Sequence, residues 1–385
     1  MKKIVVLGAG LVGNVIARDL AKDPEIEVTV ADINQKALDF LKSNFNIQGI
    51  KADLSNTENL KKIIADFDLV VGAVPGFMGY QTLKTVIEEG KDIVDISFFD
   101  EDPFSLSELA KEKGVTAVID CGVAPGLSNI ILGYVNNIME KVESFLCYVG
   151  GLPVIRTWPY EYKAPFSPID VIEEYTRPAR FVENGKVVVK PALSDPELLE
   201  FEGIGTLEAF NTDGLRTLLK TMPHIPNLKE KTLRYPGHIE KMKILRETGF
   251  FGKEDIEIKG VKIKPIDLTT KLLFKEWKLS PGEEDYTIME IEVEGKHENK
   301  IVQHRYYLLD KYDKQEQMIS MARTTGFTCS IIANLVVKGK YAPKTLVPPE
   351  LIGENHEVFE ILINELEKRN VCFKTTVREL KIRNN

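Results

Sequence analysis

Between residues 3 and 121 the chain alternates short aliphatic runs with segments of mixed polarity. "KIVVLG", "EVTVAD" (27–32), "GIKADL", "DLVVGAV" (68–74), "DIVDIS" (92–97) and "VTAVIDC" (115–121) are the aliphatic runs. Their near-continuous apolar character predicts strands covered on both faces. "VGNVIARDLAKD" and "NQKALDFLKSNF" carry apolar residues three and four apart, which predicts helices. Asn34 predicts an N-cap, and "SNTE" (55–58) and "SLSE" (105–108) predict capping boxes. Six such alternations predict an α/β fold built on a doubly wound parallel sheet, with right-handed crossovers.

After Cys121 the rhythm changes. "PGLSNIILGYVNNIMEK" predicts a helix, and "SPID" (167–170) predicts another, capped by Ser167 with Pro168 in its first turn. "SFLCYVGGLP", "KVVVKP", "GTLEAF", "IEIKGVKIKP" and "DYTIMEIEVEG…IVQHRYYLLD" predict strands, with "EGKHENK" at a hairpin tip. The second domain is therefore expected to be α+β with a largely antiparallel sheet. Helices are expected again at 315–338 and 356–369, followed by a polar, helical last stretch. The expected division is 1–124, completed by 320–385, and 125–319 between them.

With 385 residues, 43% hydrophobic and 28% charged, the chain has the composition of an ordinary globular enzyme. A formal net charge of -8 argues against nucleic acid or an anionic membrane as partner. The four cysteines show no C-x-x-C spacing and the five histidines no H-x-x-x-H pair, so neither a disulfide framework nor a metal site is expected. The cytoplasm is the expected compartment. The opening "MKKIVVLGAGLVG" has a charged start and an apolar run, but its glycine phasing and Arg18, Asp19 and Lys22 speak against a leader peptide.

"GAGLVG" places Gly8, Gly10 and Gly13 in G-x-G-x-x-G spacing, after a strand and at the start of a helix, with Asp32 ending the next strand. That context predicts a dinucleotide-binding Rossmann domain: Gly8 for the turn, Gly10 for close approach of the pyrophosphate, Gly13 for helix packing. Asp32 accepts hydrogen bonds from a ribose 2′-hydroxyl and repels a 2′-phosphate, which favours NAD over NADP. Lys36 is the one nearby cation that works against this preference. Ligands in open α/β sheets lie beyond the carboxyl ends of strands. The expected cofactor contacts are Gly8, Gly10, Leu11, Val12, Gly13, Asp32, Asp53, Val74, Pro75, Ser97, Cys121 and Gly122.

"DCGVAPGLSN" (120–129), "YVGGLP" (148–153), "EEYTRPAR" (173–180), "TDGLRTLL" (212–219), "TLRYPGH" (232–238) and "TGF" (325–327) occur in one order. Together with the glycine motif they resemble the saccharopine dehydrogenase-like superfamily, most closely the NAD-dependent L-lysine 6-dehydrogenases. Saccharopine reductases and carboxynorspermidine dehydrogenases share much of the set. The resemblance implies a substrate-binding and dimerising second domain, hence a homodimer. It also implies oxidation at a carbon bearing an amino group, with L-lysine converted to allysine and ammonia. Reductive condensation of an amine with a carbonyl compound is the alternative, and a non-catalytic NAD-binding module is the alternative of another class.

Oxidising an amine needs a base, because only the neutral amine releases hydride, and an amino-acid substrate needs an anchor for its carboxylate. An arginine fork suits that anchor. Arg234, Arg216 and Arg177 are the candidates, with Tyr235 as a pocket wall. Arg216 is expected in the first turn of a helix, where the macrodipole opposes it and an anion would compensate. Asp213 is expected as an N-cap. The candidate proton carriers are His238, expected to titrate near neutrality, Lys163, which a lowered pKa would make a proton acceptor, Asp95 and Asp120. Cys121 is expected to pack rather than react.

Overall fold

The computed structural model describes residues 1–380. Contacts divide the chain into two units, Met1–Asn137 with Ala322–Cys372, and Ile138–Met321 with the segment from Phe373 onward. The chain thus crosses between units three times.

In the first unit β1 (Lys2–Leu7), α1 (Leu11–Leu20), β2 (Ile26–Asp32), α2 (Gln35–Asn44), β3 (Ile47–Lys51), α3 (Thr57–Ile64), β4 (Leu69–Gly72), α4 (Gly76–Glu88), β5 (Asp92–Asp95), α5 (Ser107–Lys113), β6 (Ala117–Val118) and α6 (Leu127–Ile138) follow one another. The expected six strands form, and all pair in parallel. A later strand, described below, joins at the edge of β6 as a seventh. The order β6-β5-β4-β1-β2-β3 is doubly wound. Ile4, Val5, Val6, Leu7, Val70, Val71, Ile93 and Val94 are completely buried, as their unbroken aliphatic runs require. Burying each such side chain contributes about 1.5–3 kcal/mol before entropy is counted.

Local chemistry corrects two caps. α3 is capped by Asn56, whose side chain accepts from the Asn59 amide, rather than by Ser55. The segment before α5 is a 3-10 turn over Pro103–Leu106 entered at Asp102, and Ser105 bonds back to the Asp102 carbonyl instead of opening a helix. Asn34 caps α2 as expected, accepting from Lys36 and Ala37.

The second unit contains β7 (Lys141–Pro153), α7 (Pro168–Thr176), β8 (Ala179–Glu183), β9 (Lys186–Lys190), β10 (Glu197–Phe201), β11 (Gly205–Asn211), α8 (Leu218–Thr221), β12 (Asn227–Arg234), α9 (His238–Glu247), β13 (Ile256–Ile258), β14 (Val261–Ile263), α10 (Pro265–Trp277), β15 (Asp285–His297) and β16 (Lys300–Lys311). Then come α11 (Ser320–Val337), β17 (Leu346–Val347), α12 (Pro349–Glu354), α13 (His356–Lys368) and β18 (Phe373–Glu379). β17 is the seventh strand of the parallel sheet, pairing with β6.

The second unit's nine-stranded sheet runs β10-β11-β12-β7-β15-β16-β18, with β8 and β9 attached beside β12. Every pairing is antiparallel except that of β12 with β7. The β15–β16 hairpin turns at Glu298 and Asn299, both left-handed, where "EGKHENK" predicted it. Residues 373–379 do not continue a helix: β18 carries the β-branched run Thr375, Thr376 and Val377 between charged residues and pairs with β16. Residues 381–385, also part of the predicted last stretch, lie outside the described residues. α10 and the helices α7 and α9 enclose an aromatic core around Trp277, Tyr175 and Phe210, each wholly buried.

Candidate functional site

In the first unit the glycine turn has the geometry its sequence requires. Gly8 has φ +115°, and a β-carbon there would press on the Ala73 carbonyl oxygen. One on Gly13 would press on the Gly8 carbonyl, so that position must be bare for α1 to lie against the turn. Gly10 is different. It is the N-cap of α1, without a side-chain cap, and a β-carbon there would meet nothing within 4 Å. The space before the helix is open, and the first-turn amides and the helix dipole favour an anion there.

Asp32 ends β2 beside this turn. Its Oδ2 accepts the Ala9 amide at 2.6 Å and its Oδ1 the Asn34 amide at 2.6 Å. Two backbone donors therefore aim a half-buried carboxylate and leave lone pairs on both oxygens. The carboxyl ends of the next strands are laddered onto the same edge: Ala73 donates to the Leu7 carbonyl (3.0 Å), Ile96 to Gly72 (3.0 Å) and Cys121 to Asp95 (2.9 Å). Val74, Pro75, Ser97, Cys121 and Gly122 follow the ends of β4, β5 and β6. Leu11 is half exposed at the first turn of α1, and Val12 lies partly buried behind it. Asp53 is exposed beyond β3, where it accepts from the Ser55 amide and hydroxyl, which hold its carboxyl below the usual range.

Asp95 is fully buried, accepting from the Ser97 amide (2.8 Å) and hydroxyl (3.2 Å). Asp120 is 2% exposed and left-handed, with φ +48°. Sparse backbone conformations of this kind gather at functional sites. Cys121 is fully buried, and so is Cys329.

The open helix start, the aimed Asp32 and the laddered strand ends define a dinucleotide-binding protein with an appended α+β unit. Its two halves match the model of the saccharopine dehydrogenase NADP binding domain over residues 4–118 and that of the saccharopine dehydrogenase C-terminal domain over residues 122–371. The chain belongs to the saccharopine dehydrogenase family, and its first unit is a nicotinamide dinucleotide domain. Alpha-aminoadipic semialdehyde synthase of Bos taurus is 22% identical over 97% of this chain and 48% of its own length, so the chain spans about half of that relative. Saccharopine dehydrogenase [NADP(+), L-glutamate-forming] of Saccharomyces cerevisiae is 27% identical over 67% of this chain and 60% of its own. Carboxyaminopropylagmatine dehydrogenase of Synechocystis is 20% identical over 89% and 90%. The apo structure of yeast saccharopine dehydrogenase (L-Glu forming) shares the fold, with a TM-score of 0.79 over 98% of this chain and 100% of that one, at 20% identity.

In the second unit "LRYPGH" is not a surface turn. Arg234 closes β12 at 2% exposure. Its Nε donates to the Tyr175 hydroxyl (3.0 Å), Nη1 to the Leu233 carbonyl (2.9 Å), and Nη2 to Glu174 (2.6 Å) and the Tyr162 hydroxyl (3.4 Å). The guanidinium also lies 4.5 Å from the Tyr162 ring centroid. Burial pushes the Glu174 carboxyl up and Arg234 pulls against it; with the side chain still 20% exposed and the contact so short, the pair is ionic. Arg234 is thus spent inside the unit.

His238 begins α9 at 1% exposure. Its Nδ1 lies 2.9 Å from the Tyr160 carbonyl, which can only accept, so Nδ1 carries the proton. Nε2 then accepts from the Tyr175 hydroxyl at 3.0 Å. Burial, with the neighbouring Arg234 charge, drives its pKa down to about 3, and the expected titration near neutrality is not found. The result is a directed chain: Arg234 to Tyr175, Tyr175 to His238, His238 to the Tyr160 carbonyl. Its far end fixes the segment between β7 and α7. That segment is held further on by Lys163, which donates to the carbonyls of Glu276 (2.9 Å) and Lys278 (3.4 Å), and by the Ala164 amide on Trp277 (2.8 Å).

Tyr235, 7% exposed, donates to the Pro153 carbonyl (2.9 Å) and accepts from Tyr286 (3.1 Å). Gly237, with φ +86°, donates its amide to Glu208 at 3.1 Å. Arg216 is not in a helix turn. It is left-handed, with φ +49°, and α8 starts two residues later, so the macrodipole argument for a bound anion does not apply. Asp213 is no cap either; it takes a two-pronged bond from Arg180 at 2.8 and 2.7 Å. Ser167 stands at the N-cap of α7 without a side-chain bond. Arg177 caps its other end, 4.0 Å from Glu173. Glu174 and Tyr175 carry the network; they lie inside "EEYTRPAR", but nothing in their spacing marks them as partners of a residue some 60 positions on.

No helix among the described residues is long and apolar enough to cross a membrane. Among the described residues no group of three or more His, Cys, Asp or Glu is placed to hold a metal.

Proposed function

We propose that this chain oxidises a carbon–nitrogen bond of an amino-acid substrate with a nicotinamide dinucleotide, NAD rather than NADP. The observation that carries the cofactor choice is the Asp32 carboxylate aimed by the Ala9 and Asn34 amides, since a 2′-phosphate beside it meets like charge. The family model bears NADP in its description, so the preference is a property argued from this chain's own residue. Gly10 leaves room for the pyrophosphate and the start of α1 neutralises part of its charge. The dinucleotide, when bound, supplies the hydride acceptor.

The substrate reading is L-lysine, oxidised at the ε-carbon. The amine loses its proton to a base, the carbon loses hydride, water adds to the imine and ammonia leaves. For the base we favour Asp120 over Asp95, because Asp95 spends both oxygens on Ser97 while Asp120 holds a strained backbone after β6. The second reading, a saccharopine- or carboxynorspermidine-type reaction that condenses an amine reductively with a carbonyl compound, is supported by relatives named saccharopine dehydrogenase and carboxyaminopropylagmatine dehydrogenase. The deciting assay is reduced-dinucleotide formation with NAD and with NADP, on L-lysine and on saccharopine, with ammonia measured in parallel. Ammonia with NADH supports lysine deamination. Turnover of saccharopine without ammonia moves the assignment to the second reading, and a preference for NADP refutes the Asp32 argument.

A further inference from the structure

The sequence offered three arginines as carboxylate anchors. Arg234 is buried, with four of its five N–H donors bonded inside the unit. Arg177 is 11% exposed. Arg216 sits left-handed and half-buried. A fourth arginine in the same unit has the properties an anchor needs. Arg156 follows β7 on an exposed stretch, with its side chain 48% exposed. One edge of its guanidinium, Nε and Nη2, is taken by the Glu161 carboxylate, with Nε at 2.8 Å. Its plane lies 4.6 Å from the Tyr235 ring centroid. Tyr235 is itself locked by Pro153 and Tyr286. The other edge, Nη1 with the second proton of Nη2, points to no partner among the described residues. An arginine held on one edge and one face, with the end-on edge open, is pre-organised for a second carboxylate.

The stretch around it adds the rest. Ile155 is 77% and Trp158 81% exposed. Both are displayed by a segment whose continuation is fixed by the Glu161 amide on Thr157 (2.8 Å), by His238 on Tyr160 and by Lys163. A fixed segment that exposes a large aromatic ring beside an open guanidinium edge matches a ligand with a carboxylate and an aliphatic chain. The rival is Arg305, bonded to Glu290 at 2.6 Å and also beside a tyrosine ring. It lies on the sheet with Glu290 and Glu292, in a column continued by Glu294, and that negative surround disfavours another carboxylate.

We propose that Arg156 binds the substrate carboxylate through its free edge and that Trp158 flanks the substrate's aliphatic chain. This rests on the reading of the chain as an amino-acid oxidoreductase. The test compares L-lysine with 1,5-diaminopentane, which has the same amine and chain but no carboxylate, in the wild type, Arg156→Gln and Arg156→Lys. Charge-assisted bonds to a carboxylate predict a KM for L-lysine raised about 10- to 100-fold in Arg156→Gln. The diamine KM should stay unchanged, and Arg156→Lys should recover only part of the loss. An L-lysine to diaminopentane ratio equal in wild type and Arg156→Gln overturns the proposal. If the wild type turns over neither compound, the oxidation reading fails and binding decides the anchor separately through the part of the tryptophan emission that Trp158→Phe removes. A signal with L-lysine, absent with diaminopentane and lost in Arg156→Gln, sustains it; equal or absent signals overturn it.

Discussion

Arg234→Lys separates a framework arginine from a substrate-binding one. Lysine keeps the charge and reaches Glu174 with one ammonium, but it lacks the planar donors that serve Tyr175 and Leu233 at 3.0 and 2.9 Å. Two buried acceptors then lose a partner, at about 1–3 kcal/mol each. Because the Tyr175 hydroxyl still donates to His238, the lower half of that range applies to it, and with the full range for the Leu233 carbonyl the sum is about 2–5 kcal/mol. At a urea slope of about 2 kcal/mol per molar, the midpoint falls by roughly 1–2.5 M. The assay follows Trp277, fully buried in the same cluster, in a Trp158→Phe background that removes the other indole. Unfolding of the second unit is then read on its own. A midpoint within about 0.3 M of the parent, together with a large rise in substrate KM, would refute the framework role and return Arg234 to the substrate.

The glycine turn predicts a split between two alanines: Gly13→Ala should lower the melting temperature because its β-carbon meets the Gly8 carbonyl, while Gly10→Ala should melt like the parent yet bind NAD weakly. Equal effects of the two would contradict the open space before α1. Asp32→Ala should weaken NAD about 10-fold or more by titration, with a smaller loss, or a gain, for NADP. In the pH dependence, His238 is neutral in the fold down to about pH 3, whereas an unfolded histidine takes a proton near 6.5. The unfolded state binds more protons between those values, so stability falls as pH drops through that window, by at most about 1.4 kcal/mol per unit. Asp285 acts oppositely: burial raises its carboxyl to about 6, so its contribution is lost as pH rises from about 4 to 6. His238→Gln should therefore leave a urea midpoint that declines between pH 4 and 6 as pH rises; an unaltered profile would place the titrating group elsewhere.

The first unit was legible because its information is local. Parallel strands buried on both faces are written as unbroken aliphatic runs, and the glycine motif constrains a turn within a few residues. The two capping boxes failed for a local reason too: Asn56, one residue on from Ser55, caps α3 through the Asn59 amide, and Asp102, three residues before Ser105, opens a 3-10 turn through the Phe104 amide. The second unit was legible only in outline. Its motifs were visible, but their meaning depends on partners brought together by β12, α7 and α10. A sequence shows Arg234 beside a Pro-Gly pair; it does not show that Glu174 arrives at 2.6 Å. Helix was expected for residues 373–379 because they are polar, yet an edge strand exposed on both faces needs no apolar alternation.

Burial decides which cations are available to bind a ligand. A guanidinium withdrawn from water must satisfy its donors within the protein, because leaving it unpaired costs several kcal/mol. Once satisfied, it can give little to a substrate without repeating that cost. Arg234 obeys this rule with Glu174, Tyr175, Tyr162 and Leu233. A half-exposed guanidinium such as Arg156 keeps water on its free edge, and a carboxylate displaces that water with modest loss. The conspicuous motif therefore builds the frame, and the inconspicuous arginine after "GGLP" is left with an edge to offer. The directed chain from Arg234 to the Tyr160 carbonyl links the two roles, since it fixes the segment on which Arg156 and Glu161 face each other.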